Sequence, residues 1–182
     1  MDAVILKDVA LSDLLSIIHH TPPSPRPRKR RSRRRQHHRL TPVILMAQTV
    51  YQDIINHLAT KPPEAGGVLI GPRDHRSVSH YVPDDTGTSS PTSFTFDHKR
   101  LNEILRDYVR LGLDAKGFVH SHPPGVHRLS SGDHAFIRTQ LSNPKNTPGE
   151  ILMPIVVGRE IIPYIVYADQ PQRSVEAELR LF

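Results

Sequence analysis

Between Arg26 and Arg39 the chain carries nine cations, Arg26, Arg28, Lys29, Arg30, Arg31, Arg33, Arg34, Arg35 and Arg39, with no acid among them. Pro22, Pro23, Pro25 and Pro27 lead into this block. Such a stretch repels itself and offers almost no apolar surface to bury, so it cannot join a packed core. It therefore divides the 182 residues. Residues 1–20 are expected to form a short amphipathic segment, residues 21–40 a Pro/Arg-rich disordered linker, and residues 41–182 one folded domain, in keeping with ~150 residues per domain.

The same block explains a misleading net charge. The whole chain has a formal charge of +6, but from Thr41 onward 14 Lys plus Arg face 15 Asp plus Glu, a net of −1. The folded part is not a basic nucleic-acid-binding body. For residues 26–39 two readings stand level, a solvated tether and a contact for polyanions such as RNA, DNA or anionic lipid. Leu11, Leu14, Leu15 and Ile18 share a helical face in the first segment. There Asp2 comes before the apolar residues and the arginines after them, the reverse of a secretory signal. The chain has no Cys, which excludes disulfides and thiolate metal sites and points to a cytoplasmic protein. No apolar run approaches the length of a membrane span.

From Thr41 the pattern alternates between periods of 2 and 3.6, as in a mixed α/β fold. Residues 42–46 suggest a short strand, and Thr49 to Leu58 a helix with Val50, Ile54, Ile55 and Leu58 on its apolar side. Glycine-flanked Val68 to Ile70 predicts a buried strand, and Ser77 to Val82 a more exposed one ending at Pro83. Asp84 to Ser93, rich in Asp, Gly, Ser, Thr and Pro, reads as a loop. Asp97 to Leu111 has helical spacing at Leu101, Ile104, Leu105, Tyr108 and Leu111, with Gly112 as its stop. Ala115 to Val119 predicts a buried strand, Gly132 to Leu141 a helix, and residues 142–149 a polar connection. Ile151 to Val157 and Ile161 to Tyr167 predict two final strands.

Chemistry concentrates at His120-Ser121-His122-Pro123 and, with seven residues between His122 and Ser130, at Ser130-Ser131-Gly132-Asp133. On a strand, residues i and i+2 point to one face, so the two imidazoles converge. Asp133, in the first turn of the next helix, can swing its carboxylate back toward them. Two imidazoles and one carboxylate leave one position open on a tetrahedral zinc, as in a catalytic site. Hydrolysis also needs a carboxylate outside the coordination sphere to take a proton from water. Glu64, just before Ala65-Gly66-Gly67 and the apolar Val68-Leu69-Ile70 strand, is the candidate. Each part has a plainer reading. Ser130-x-x-Asp133 alone is more often a capping box, His-x-His a half-buried pair, and Glu64 a loop carboxylate. Their joint occurrence at the spacing of a known family reverses that preference, and capping is compatible with catalysis. His127 is expected in a loop and His134 on the solvent face of the helix, and neither is assigned to the metal.

This set, Glu64 with His120-x-His122-Pro and Ser130-x-x-Asp133, resembles the signature of the JAMM (MPN-plus) metalloproteases over most of residues 41–168. The resemblance implies an MPN (JAB) fold, a mixed β-sheet flanked by helices and resembling the cytidine-deaminase-like architecture. It implies one zinc held by His120, His122 and Asp133, Glu64 as general base, and Ser130 as oxyanion donor. It also implies cleavage of a peptide or isopeptide bond after the Gly-Gly tail of a ubiquitin-like protein. The compact domain looks like the bacterial branch, whose members occur beside ubiquitin-activating-like and ubiquitin-conjugating-like enzymes, including in antiviral operons, or with sulfur-carrier proteins. A non-catalytic MPN scaffold and a nucleic-acid-associated protein acting through residues 26–39 are the competing classes. Residues 1–40 have no counterpart in the family pattern.

Overall fold

The computed structural model describes residues 41–61, 64–90, 93–143 and 149–182. The expectations for residues 1–20 and 21–40 lie outside the described residues. In chain order the elements are β1 (Val43–Met46), α1 (Gln48–Leu58), β2 (Gly66–Pro72), β3 (Ser77–Val78), β4 (His80–Pro83), β5 (Thr88–Ser90), β6 (Ser93–Thr95) and α2 (His98–Arg110). There follow β7 (Leu113–His122), α3 (Ser131–Leu141), β8 (Glu150–Leu152), β9 (Ile155–Val157), β10 (Glu160–Ile162), β11 (Tyr164–Tyr167), β12 (Ser174–Glu176) and β13 (Glu178–Leu181).

The histidine strand β7 is the spine of a mixed sheet. β2 pairs with it antiparallel, placing Gly66 opposite His120 and Val68 opposite Phe118. On its other side β8 and β9 run parallel to it, with His120 opposite Ile155 and His122 opposite Val157. A strand covered on both faces should be apolar throughout, and residues 66–71 of β2 are all buried. Alternate residues of the sheet serve two cores. Leu69, Val119 and Val156 pack against Val50, Ile54, Ile55 and Leu58 of α1. Val68, Ile70 and Phe118 pack against Leu101 and Leu105 of α2 and Ile137 of α3. Each such side chain, fully buried, contributes ~1.5–3 kcal/mol. The sheet thus carries a helix on one face and two on the other, the mixed α/β arrangement read from the sequence.

One irregularity sets the course of β7. The register shifts between Leu69, which faces Gly117, and Ile70, which faces Ala115, so Lys116 is the extra residue of a bulge. Lys116 turns its ammonium onto the Pro72 and Arg73 carbonyls at 3.1 and 2.9 Å. At Gly117 φ is 153°, and an added Cβ would stand 1.8 Å from the Leu152 carbonyl oxygen. Only glycine permits both the backbone angle and the close pass of β8.

Several local expectations need correction. The 84–93 segment is not all loop, because β5 and β6 pair as a hairpin, Thr88 opposite Thr95. Asp84 organises its base: the carboxylate accepts the Gly87 amide at 3.1 Å and the Asp97 amide at 2.7 Å. The strand expected over Ser77–Val82 is split at Ser79, whose amide bonds Ile70. The expected strand 151–157 is broken at Met153 and Pro154, and 161–167 at Pro163, since proline lacks the ladder donor. β12 and β13 were not anticipated. β13 runs parallel to β1 in a second sheet with β3, in the order β13-β1-β3. Among the described residues no helix is long and apolar enough to cross a membrane.

Candidate metal centre

His120 and His122 lie at the buried end of β7, 4% and 6% exposed. Strand alternation puts both rings on one side, and their Nε2 atoms are 2.7 Å apart. α3 brings the carboxylate. Ser130 is its N-cap: Oγ accepts the Asp133 amide at 3.1 Å, and the Asp133 carboxylate accepts the Ser130 amide at 2.6 Å. This capping box holds the side chain of Asp133 over the histidines, with Oδ1 3.1 Å from His120 Nε2 and Oδ2 3.5 Å from His122 Nε2. Burial would raise the Asp133 carboxyl's pKa. Hydrogen bonds with His120 and His122 outweigh it and hold the group far below the usual carboxylate range. For His122, burial alone would lower the pKa, but the hydrogen bond and charge of Asp133, with help from Val126 and Glu64, raise it above the ordinary imidazole value.

The ring tautomer follows from the partners. His122 Nδ1 lies 3.2 Å from the Val126 carbonyl, which can only accept, so Nδ1 donates; the neutral ring then keeps its lone pair on Nε2, and only the protonated ring donates from Nε2 to Asp133. His120 Nε2 then donates to His122 Nε2, and the buried His120 Nδ1 has no hydrogen-bond partner.

Glu64 enters from the start of β2. Burial raises its carboxyl's pKa above the ordinary value, His120 and His122 pull it down, and Asp133 pushes it up. Its proton affinity is thus coupled to all three candidate ligands. Sequence reasoning gave no role to the residue that fixes this corner. Ser121, between the histidines, points to the opposite side of β7, where Oγ accepts the Ala65 amide at 3.0 Å. Its own amide donates to the Ala65 carbonyl at 2.8 Å. Ser121 therefore clamps the residue after Glu64 to the histidine strand, and only its place in the His-x-His triplet hinted at it.

His127 lies exposed in the loop before α3, as expected. His134 does not face solvent freely. It is partly buried, with Nδ1 3.1 Å from the Pro171 carbonyl. The turn at Pro171 lies 37 positions away in sequence, so short-range periodicity could not reveal it.

The donors of His120, His122 and Asp133 lie within 4.8 Å of one another, and among the described residues no other group of three His, Cys, Asp or Glu side chains does so. A tetrahedral ion with nitrogen and oxygen ligands at ~2.0–2.2 Å keeps its donors about 3.3 Å apart. The two Nε2 atoms are 2.7 Å apart, His120 Nε2 is 3.1 Å from Asp133 Oδ1 and His122 Nε2 is 3.5 Å from Asp133 Oδ2, so small shifts of the side chains reach that spacing with either oxygen. Two imidazoles and a carboxylate also form the donor set of a borderline-soft divalent ion, so the residues fit a metal.

A family model for prokaryotic homologs of the JAB domain matches residues 47–174. No curated protein matches the chain. Among solved structures, a protein from Desulfitobacterium hafniense is 22% identical, with 76% of this chain and 92% of that one covered and a TM-score of 0.59. One from Salinibacter ruber is 18% identical, with the same coverage and a TM-score of 0.50. At these identities the structures speak for the fold alone, while the family match spans Glu64, both histidines, Ser130 and Asp133. The chain belongs to the prokaryotic homologs of the JAB domain.

Proposed function

We propose that the chain is a zinc-dependent peptidase in which His120, His122 and Asp133 hold the metal, Glu64 is the general base and Ser130 the oxyanion donor. The observation that carries this reading is the meeting of the three donors at one buried point, with the Glu64 carboxyl held in their field. Zinc, when bound, supplies polarisation of a carbonyl and acidification of water. The chain's own residues would do the rest. Glu64, with its proton affinity raised by burial, takes a proton from the attacking water and returns it to the leaving amine. Ser130 Oγ uses a lone pair in capping α3, which leaves its hydrogen to donate to an oxyanion. Asp133, kept ionised, anchors both histidines. The substrate proposal, a peptide or isopeptide bond after the tail of a ubiquitin-like protein, rests on the JAMM resemblance.

The test pairs zinc content with cleavage of a ubiquitin-like protein extended past its Gly-Gly. Glu64→Gln should keep zinc and lose ~10²- to 10⁴-fold in turnover. Ser130→Ala should keep zinc and lose ~10²- to 10³-fold. His122→Ala should lose the metal. Protein that takes up no zinc, or Glu64→Gln that cleaves at the wild-type rate, would sink the reading.

A further inference from the structure

The turn that fixes the tautomer of His122 has little of its own to hold it. Residues 123–126 form a turn closed by the Val126 amide on the Pro123 carbonyl at 3.1 Å. Pro124 sets its first corner, and Gly125, with φ 85°, its second, the signature of a type II turn. Pro124, Gly125, Val126, His127 and Arg128 are all exposed, so side-chain burial does not pin the segment. What does so comes from a distant strand. Tyr164, at the start of β11 and 6% exposed, donates its hydroxyl to the His127 carbonyl at 2.8 Å. Its ring is packed with Ile155 and Ile162, with Leu129 and Val157 against them. The anchored peptide adjoins the one whose Val126 carbonyl accepts from His122 Nδ1.

We infer that Tyr164 is a positioning residue of the metal centre, acting through the 123–127 turn to hold the Val126 carbonyl on His122 and so keep the Nε2 lone pair directed at the metal. The inference rests on the proposed role of His122 as a ligand. Outer partners of ligating histidines fix ring orientation in this way, and their loss typically weakens metal binding ~10- to 100-fold. Tyr164 stands one peptide further out, so about 10-fold, the low end, is expected. Nothing about Tyr164 beyond an apolar, aromatic strand residue is legible without the fold.

The test uses the full chain and Tyr164→Phe, which keeps the ring and removes only the hydroxyl. Zinc affinity is read by competition with a chromophoric chelator. The ring tautomer is read from imidazole nitrogen NMR shifts in metal-free protein at a pH where the ring is neutral. Wild type should show His122 with its proton on Nδ1, and Tyr164→Phe should show a mixture and about 10-fold weaker zinc binding at a near-normal melting temperature. Gly125→Ala, strained at φ 85° but with open space around the new methyl, should shift both readouts the same way. An unaltered tautomer in Tyr164→Phe, or an unaltered zinc affinity, overturns the inference. If wild type binds no zinc, the proposed function fails, while the tautomer measurement needs no metal and still decides the role of Tyr164.

Discussion

Ser121→Ala isolates the clamp between the histidine strand and Glu64. The substitution leaves the ligands untouched and removes the hydroxyl that accepts the Ala65 amide at 3.0 Å and lies 3.4 Å from its carbonyl. Ser121 and Ala65 are 5% and 7% exposed. The abandoned amide therefore loses its partner without gaining solvent, at a cost of about 1–3 kcal/mol. For a domain of this size about 2 kcal/mol lowers Tm by ~4–8 °C. Part of that strain is relieved by Ala65 moving off β7, and Glu64 moves with it. A general base displaced by a fraction of an ångström to ~1 Å loses on the order of 10- to 100-fold in rate. Zinc content should stay at the wild-type level, and Ser121→Thr, which retains the hydroxyl, should restore turnover to within a few-fold. The assays are thermal melting, metal analysis and cleavage of the extended ubiquitin-like protein. Wild-type stability together with wild-type turnover in Ser121→Ala would refute the clamp, and loss of zinc as complete as in His122→Ala would refute the separation of Ser121 from the ligands.

Gly117→Ala should be the most damaging glycine replacement in the sheet. It combines a positive φ with a methyl 1.8 Å from the Leu152 carbonyl oxygen, and about 3–5 kcal/mol in urea unfolding is expected. Gly112→Ala, at φ 78° with nothing within 4 Å, should cost only about 1 kcal/mol, and equal losses at the two sites would contradict the close-pass account. Asp85, whose carboxyl is held below its ordinary value chiefly by hydrogen bonds from Lys61 and His57, ties the loop after β4 to the end of α1. A depressed folded pKa means stability that is present above roughly pH 4 and lost as pH falls through the folded value. Because the side chain is 52% exposed, Asp85→Asn should cost no more than about 1 kcal/mol near neutrality. That difference should vanish in acid, and one that persisted at low pH would point to packing instead.

Legibility followed the range of the interactions involved. The helices were readable because their apolar faces recur locally: Val50, Ile54, Ile55 and Leu58 are all buried in α1. The histidine strand and the Asp133 cap were readable because ligand spacing is short-range, His120 to His122 by strand alternation and Ser130 to Asp133 by helix-start geometry. The hairpin of β5 and β6 was hidden by Ser, Thr and Gly, residues that signal turns and also line exposed strands. The edge strands β12 and β13 carry Glu176, Glu178 and Arg180 and little burial, so they lack the apolar signature. Ser121 and Tyr164 were invisible as positioning groups because their partners lie 56 and 37 positions away.

The parallel pairing of β1 with β13 has a consequence for how the molecule assembles. Val43 meets Glu178, 135 positions later, and the Gln48 amide at the start of α1 bonds the Phe182 carbonyl. Closing so long a segment costs entropy before any pairing rewards it, and parallel non-local strands are slow to form. During synthesis β1 emerges long before β13 and waits, with one edge unpaired, until residues 178–181 have been made. The second sheet is thus completed last, and loss of residues 178–182 should leave a chain that retains the histidine strand yet exposes a β1 edge to other chains.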